Sequence, residues 1–409
     1  MRGKELTLER FDPLDPRFVP DPYPWYHRLR ALEPVHEGAP PFPSVQRCYY
    51  AFRYDDVVSI LTDPRLGRTR PGARDHDPRA PRWIRRLGRS MVLFNDPPDH
   101  LRLRTLLATA FSPDFVQSRR PHIERTVTRL LDGLPDGGTT DLMASFAVPL
   151  PVLVIAAILG LPEEDTDRIK EWSHALIGAT DPRRSVVGVT HAGAAAKELL
   201  LYLRDIVRER ERRPQEDLLS RMLLARRNGD RLGDDEVLAN AMFLLSAGHE
   251  TTVGLLGNGT LALMRNRSQW DRLVADPSLL GRAIEELLRY DSPIQMTFRF
   301  AAEPAILGER RLEPGDAVGA VLGAANRDPE VFADPDRLDI GRSSGRHLAF
   351  SLGTHFCMGP ALARLEASLA FGALTGRFPA LDLAGEPVWR ETVSFRALER
   401  LPVTSGGRR

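Results

Sequence analysis

Cysteine is scarce: only Cys48 and Cys357 occur in 409 residues. That is too few for a disulfide framework, so a reducing cytoplasm is the expected compartment and each thiol needs its own explanation. A charge excess of either sign is also missing. Lys plus Arg is 56 against 55 Asp plus Glu, which gives no global attraction to nucleic acid or to a membrane surface. Long uncharged runs are lacking apart from Met143–Pro162, and there Pro149 and Pro151 interrupt the run while Gly160-Leu-Pro162 ends it. A buried helix is expected there, not a membrane span. The first residues, MRGKELTLERFDPLDP, hold no apolar core and mix acids with bases, so neither a secretory signal nor a membrane anchor is expected. Internal repeats and Gly/Ser linkers are absent as well, and residues 1–409 read as one compact domain.

Helical spacing is abundant. Apolar residues recur three and four apart in segments beginning near Asp99, Pro113, Glu163, Val186, Asp234, Leu279 and Pro360, with Gly or Pro at the joins. Strand-like runs are few: Val45–Phe52, Thr297–Ala302 and Ala317–Leu322. Between Asn326 and Ser351 lies a long stretch rich in Asp, Pro, Arg and Gly with no period. Loops of that length inside a compact domain usually carry function, and this one leads to Cys357.

Around that cysteine the chain reads Phe350-Ser-Leu-Gly353-Thr-His355-Phe-Cys357-Met-Gly359-Pro-Ala-Leu362-Ala363-Arg364. Glycines punctuate a turn that opens an apolar helix, and backbone N–H groups at a helix start favour a thiolate. Gly353 and Gly359 would let the backbone approach a flat ligand. A lone cysteine in such a turn is more often an inert buried thiol, so the surrounding pattern decides.

Upstream segments add to it. His100-Leu-Arg-Leu-Arg104 places an imidazole and a guanidinium on one helical face at i and i+4, suited to an anionic group, with Arg102 on another face. Glu286-Leu-Leu-Arg289 puts an acid and a base three apart, where they can pair and fasten the long loop. The helix entered at Asp234 should run about 30 residues, roughly 45 Å, and it contains Ala247-Gly248-His249-Glu250-Thr251-Thr252. A mid-helix glycine costs roughly 0.5–1 kcal/mol against alanine, and the Thr251 hydroxyl can compete for backbone carbonyls. A groove at this point would account for both.

The pattern Phe-x-x-Gly-x-His-x-Cys-x-Gly-x-x-Leu-Ala-Arg resembles the haem-binding loop of the cytochrome P450 superfamily. One departure is Ser351, which stands where bacterial members commonly have glycine. The resemblance spans nearly the whole chain, from Pro20-Asp-Pro-Tyr23 through Ala324-Ala-Asn-Arg-Asp-Pro329 to Phe395-Arg-Ala-Leu398. It is strongest to soluble bacterial members, in the subgroup of pimeloyl-forming oxidases of biotin synthesis and macrolide hydroxylases.

What the resemblance implies is specific. The fold would be the mainly α haem-thiolate triangular prism with a small β-rich lobe, holding haem b (iron protoporphyrin IX) between the Asp234 and Pro360 helices. Cys357 would be the metal ligand, His100, Arg104, Arg299 and His355 the partners of the propionates, and Glu250 with Thr251 the proton-delivering pair over an oxygen groove. The activity implied is a monooxygenase that oxidises a small organic molecule in specialised metabolism. No convincing Gly-x-Gly-x-x-Gly site or iron–sulfur cysteine set is present, so ferredoxin-like and reductase partners would bring electrons to the cysteine side. Two alternatives remain: an oxidase that couples aromatic rings or cleaves C–C bonds, and a non-catalytic haem sensor or carrier, which would not need Glu250-Thr251.

Pro64–Ser90 is locally basic, with Arg65, Arg68, Arg70, Arg74, Arg79, Arg82, Arg85, Arg86 and Arg89 against Asp75 and Asp77. The resemblance puts this segment over the substrate entrance. A solvated loop, or charges serving haem and structural contacts, would be the plain explanation. An anionic or carrier-tethered substrate would be the functional one.

Overall fold

The computed structural model describes residues 10–42, 45–71, 82–180, 186–227, 229–343 and 345–406. Helices dominate, and five begin where the periodicity predicts, Asp99–Ala110, Pro113–Ser118, Val186–Arg212, Asp234–Arg265 and Pro360–Arg377, whereas Tyr23–Leu32, Tyr54–Thr62, Arg120–Asp132 and Arg267–Ala275 were not expected. Proline at the first turn sets φ for helix entry without losing a needed donor, as at Pro113 and Pro360. Two starts are less direct than expected. Glu163–Asp165 forms a 3-10 turn before the helix Thr166–Thr180, and Pro277–Leu279 another before Leu280–Tyr290.

The apolar run after Leu142 folds as a π-helical turn, Met143–Ala147, followed by the helix Pro149–Leu159. Its side chains are buried almost throughout, which is why hydrophobicity runs all round it. No helix among the described residues is long and apolar enough to cross a membrane.

The β-rich part centres on a five-stranded sheet ordered Val35–Gly38, Cys48–Ala51, Ala317–Ala320, Thr297–Ala301 and Leu66–Gly67. The run expected over Val45–Phe52 narrows to Cys48–Ala51, and Val35–Gly38 was not expected at all. Ala317–Ala320 pairs antiparallel with Thr297–Ala301, setting Val318 opposite Arg299. On the other edge of that strand Gly67 pairs with Phe300, which carries Arg68 to the side of Arg299.

The loop leading to Cys357 is tied down by buried charge. Arg289 donates to both oxygens of Glu286 at 2.7 and 2.8 Å, and also to the carbonyls of Asn326 and Pro335 at 2.9 and 2.8 Å. Arg342 Nε donates to both Glu286 oxygens at 3.1 Å, and the Asp339 N–H donates to Oε1 at 2.9 Å. Both Glu286 oxygens and the Arg289 guanidinium nitrogens are hydrogen-bonded in the network. Removing one member would leave an uncompensated buried charge, at a cost of about 3–5 kcal/mol.

Candidate active site

The cysteine loop is built from two left-handed residues. Gly353 has φ +71°, and a Cβ there would stand 2.3 Å from the Leu61 carbonyl oxygen, so only glycine fits. Ser351 has φ +62°, so the serine adopts the glycine conformation and the loop keeps its course at the cost of local strain. Its hydroxyl is buried without a hydrogen-bond partner. The Cys357 N–H donates to the Phe350 carbonyl at 2.9 Å, and the Gly359 N–H donates to Cys357 Sγ at 3.3 Å.

Thiolate chemistry at this turn is not set by the helix start alone. Burial pushes the Cys357 thiol up, and the Gly359 N–H, Arg104 and Arg364 only partly offset it. Desolvation outweighs one backbone donor and two nearby cations, so a bound cation is what would hold sulfur as thiolate.

Close by, the His100 and His355 rings lie 4.1 Å apart between centroids. His100 is buried in the helix Asp99–Ala110, one turn before Arg104. Burial, with His355 and Arg104 adding repulsion, brings the His100 imidazole down to about 4. His355 is lowered too, mainly by burial. His100 Nδ1 and His355 Nε2 are both buried without a hydrogen-bond partner.

Arg299 completes the group from the sheet. It donates to the Thr297 hydroxyl at 3.3 Å and the Phe298 carbonyl at 3.0 Å, and burial plus the neighbouring Arg68 bring it down to about 9. Arg68 donates to the same Thr297 hydroxyl at 3.1 Å and the Phe298 carbonyl at 3.0 Å, and burial lowers it to about 10. Asp96 lies among them. It accepts the backbone N–H groups of Arg68 and Thr69 at 2.7 and 2.8 Å and sits 3.9 Å from His355 Nε2. Burial acts to raise Asp96, but the neighbouring His355 and the Arg68 and Thr69 hydrogen bonds prevail and hold it well below the ordinary carboxylate range.

Two desolvated guanidiniums, Arg68 and Arg299, share one carboxylate, and His100 Nδ1 beside them has no partner, so the local balance calls for added negative charge. A Cβ on Gly359 would meet no protein atom within 4 Å, so the backbone beside the sulfur is open to a flat ligand. This donor set fits a dianionic macrocycle whose metal takes a sulfur ligand.

The helix Asp234–Arg265 carries Glu250 and Thr251 and packs on the Pro360 helix. Thr251 Oγ1 donates to the Ala247 carbonyl at 3.3 Å, the local competition that its position predicts. A Cβ on Gly248 would press on Ile155 of the Pro149–Leu159 helix at 3.0 Å, so close helix packing accounts for this glycine. Glu250 is buried, accepts a hydrogen bond from Arg390 Nη1, and has His249 Nε2 at 3.8 Å from its other oxygen.

The structure therefore gathers Cys357, His355, His100, Arg104 and Arg299 into one site and sets Glu250 and Thr251 on the helix packed against it. Arg68, Asp96 and Arg390 stand beside these residues and are not singled out in the sequence: Arg68 is one of nine arginines that could serve haem, structure or substrate, Asp96 has a visible place in Asn95-Asp-Pro-Pro-Asp-His100, and Arg390 has no signal. Elsewhere in the basic segment Arg65 pairs with Asp63 at 2.7 Å and Arg86 with Asp235 at 2.6 Å, favouring structural contacts for both. Arg74, Arg79, Asp75 and Asp77 lie outside the described residues.

Comparison with known proteins agrees on one family. The family model described as Cytochrome P450 matches residues 274–390. The biotin biosynthesis cytochrome P450 of Bacillus subtilis (strain 168) is 40% identical over 393 residues, 95% of this chain and 97% of that protein. The cytochrome P450 monooxygenase PikC of Streptomyces venezuelae is 40% identical over 404 residues, covering 94% of this chain and 91% of that one. Among solved structures, P450BioI in complex with hexadec-9Z-enoic acid ligated acyl carrier protein superposes with a TM-score of 0.88 at 39% identity, covering 95% of this chain and 98% of that chain.

Proposed function

Because this chain belongs to the cytochrome P450 family and is a haem-thiolate monooxygenase, we propose that it binds haem b through Cys357, with the propionates received by His100, Arg104, Arg299 and His355. When bound, the haem activates dioxygen with electrons from redox partners, and one oxygen atom enters an organic substrate. The observation that carries the assignment is the buried, unpartnered His100 Nδ1 beside desolvated Arg299 and Arg68, which share one carboxylate, Asp96.

The chain's own residues then have separable tasks. The Gly359 N–H and the positive field of Arg104 and Arg364 favour sulfur as thiolate against the burial that opposes it. Thr251 keeps its hydroxyl at the Ala247 carbonyl. Glu250, the next residue back, can take up a proton and pass it to Thr251 Oγ1, general acid–base work suited to a buried carboxylate beside a hydroxyl. Arg68 and Asp96 brace Arg299 and His355 without needing to touch the cofactor.

For substrate we assign an acyl chain presented on an acidic carrier protein. The similarity to the biotin-synthesis relative and to the carrier-bound structure supports it, as do Arg82 and Arg89, exposed on the helix Arg82–Arg89. Docking through such charges should weaken with salt, whereas burial of a free acyl chain should not. The experiment is a haem spin-state titration with hexadec-9Z-enoic acid, free and carrier-tethered, at low and high ionic strength. Tighter, salt-sensitive binding of the tethered form is expected; equal, salt-independent binding of both would remove the carrier. Product mass then decides the chemistry, since insertion adds one oxygen whereas coupling removes two hydrogens and cleavage yields fragments.

A further inference from the structure

We propose that Asn240 is a positioning residue: it latches the strap Ser90–Asn95 onto the helix Asp234–Arg265 and so sets how large a ligand reaches the face of that helix on which Thr251 stands. The proposal rests on the reading of Cys357 and the His100–Arg299 cluster as the haem site, and it gives a task to a residue outside that cluster.

The strap joins the helix Arg82–Arg89 to the helix Asp99–Ala110, with Val92–Phe94 as a single 3-10 turn between them. Its own side-chain ties are short in range: Asn95 Nδ2 donates to the Arg89 and Met91 carbonyls at 2.9 and 2.7 Å. Asn240 supplies the tie to the central helix. It is fully buried, and its Oδ1 accepts the Val92 N–H at 2.8 Å while Nδ2 donates to the Ser90 carbonyl at 2.9 Å. One side chain thus serves a backbone donor and a backbone acceptor two residues apart, as a neighbouring strand would. Its own turn is fixed in place. Asn240 Nδ2 also donates to the Glu236 carbonyl at 2.7 Å, and the Glu236 carboxylate accepts the Gly233 N–H at 2.8 Å and Arg102 Nη2 at 2.5 Å.

The far side of the strap belongs to the donor cluster. Arg68 Nε donates to the Leu93 carbonyl at 3.3 Å, and Asp96, the residue after the strap, accepts the Arg68 and Thr69 N–H groups. Val92 turns into the core, whereas Leu93 is half-buried and joins none of the three apolar clusters among the described residues. On the helix, Asn240, Phe243, Ala247 and Thr251 follow at i, i+3, i+7 and i+11, which the helical period gathers into one stripe. Phe243, Ala247 and Thr251 are half-buried on a helix otherwise well covered. Strap and stripe bound one space, and Asn240 stands where they meet. Arg86 also joins the two elements, through Asp235 at 2.6 Å, but with side chains 78% and 43% exposed that pair carries little weight. Loss of Asn240 would instead leave a donor and an acceptor unpaired in the closed strap, and so favour the displaced one.

The test uses haem-loaded protein and two iron ligands of different size, carbon monoxide and phenylimidazole, beside amide hydrogen exchange of the strap. Asn240→Leu keeps the volume of the side chain and neither of its bonds to the strap. Phenylimidazole should associate about tenfold faster or more, the Val92 N–H should exchange faster by a similar factor, and carbon monoxide association and haem retention should stay as in the wild type. Arg86→Gln should leave all of these unchanged. Wild-type phenylimidazole association and Val92 exchange in Asn240→Leu overturn the proposal. Equal acceleration of both ligands also overturns it, because the variant would then have loosened the fold generally. So does an Arg86→Gln variant that reproduces the effect, since the surface pair would then be the latch. A wild type without the red-shifted absorption of the carbon-monoxide complex removes the haem-site reading instead, and exchange of the Val92 N–H still decides the latch. Should Asn240→Leu fold poorly, Asn240→Ser, too short to reach the strap, gives the same comparison.

Discussion

The imidazole of His100 stacks on that of His355 with ring centroids 4.1 Å apart, joining the helix Asp99–Ala110 to the turn before Cys357. His100 presents a buried nitrogen with no protein partner, His355 Nε2 stands 3.9 Å from Asp96, and Arg299 and Arg68 crowd the same place with lowered basicity. The two guanidiniums outnumber the one carboxylate, Asp96, and an added anion would relieve the excess. Arg299→Met should weaken haem retention by roughly 1.5–3 kcal/mol, about ten- to a hundredfold. Haem transfer to an acceptor protein measures this, and an unchanged transfer rate would remove Arg299 from the cofactor site.

Replacing the axial residue gives the most direct check. Cys357→His should abolish the red-shifted absorption of the reduced, carbon-monoxide-bound protein. Cys48→Ser should preserve it, because Cys48 is buried in a central strand and burial pushes its thiol up to about 12.

Thr251→Ala should leave haem binding intact and uncouple turnover, with peroxide accumulating about tenfold over the wild type at equal electron supply. A peroxide assay beside oxygen consumption reads this, and unchanged coupling would leave Thr251 without a relay role.

Ser351 pays twice, in a left-handed backbone and in a buried hydroxyl with no partner. Ser351→Gly should stabilise the haem-loaded protein by about 1 kcal/mol, and Ser351→Ala by less, since alanine keeps the φ strain while losing the hydroxyl. Denaturant midpoints of the three proteins give the ranking.

Glu285 links the helix Leu280–Tyr290 to Arg364, which donates at 2.7 and 2.8 Å, and to His347 at 3.1 Å. Burial acts to raise this acid, but the bonds from Arg364 and His347 prevail and bring it from 4.5 down to about 2. A depressed carboxylate contributes stability that is complete above its ordinary value and is lost as pH falls from about 4.5 through about 2. Acid unfolding of the wild type should therefore steepen in that window, and Glu285→Gln should flatten it and release haem at higher pH.

Much of the site was legible because its signals are local. The cysteine loop reads from turn chemistry within a few residues, and the shared face of His100 and Arg104 follows from the helical period alone. The Glu286–Arg289 pair was readable on the same ground, although its reach to Arg342 was not. Unread features lie where a residue's neighbour comes from far along the chain. The packing of Gly248 depends on Ile155, about ninety residues earlier, and the place of Arg68 depends on the strand Leu66–Gly67, which carries it beside Arg299.

By itself the sequence determined the helices, the cysteine turn, the balanced overall charge and the identity of the donor atoms, since these follow from the spacing and chemistry of near neighbours. Only the tertiary structure decided which charges are desolvated: Arg68 and Arg299 made weaker bases, the Cys357 thiol raised despite its helix start, and Glu250 matched to Arg390 across the fold. The physical reason is that the energy of a charge is set by what surrounds it in space, and packing of distant elements, not local spacing, determines those surroundings.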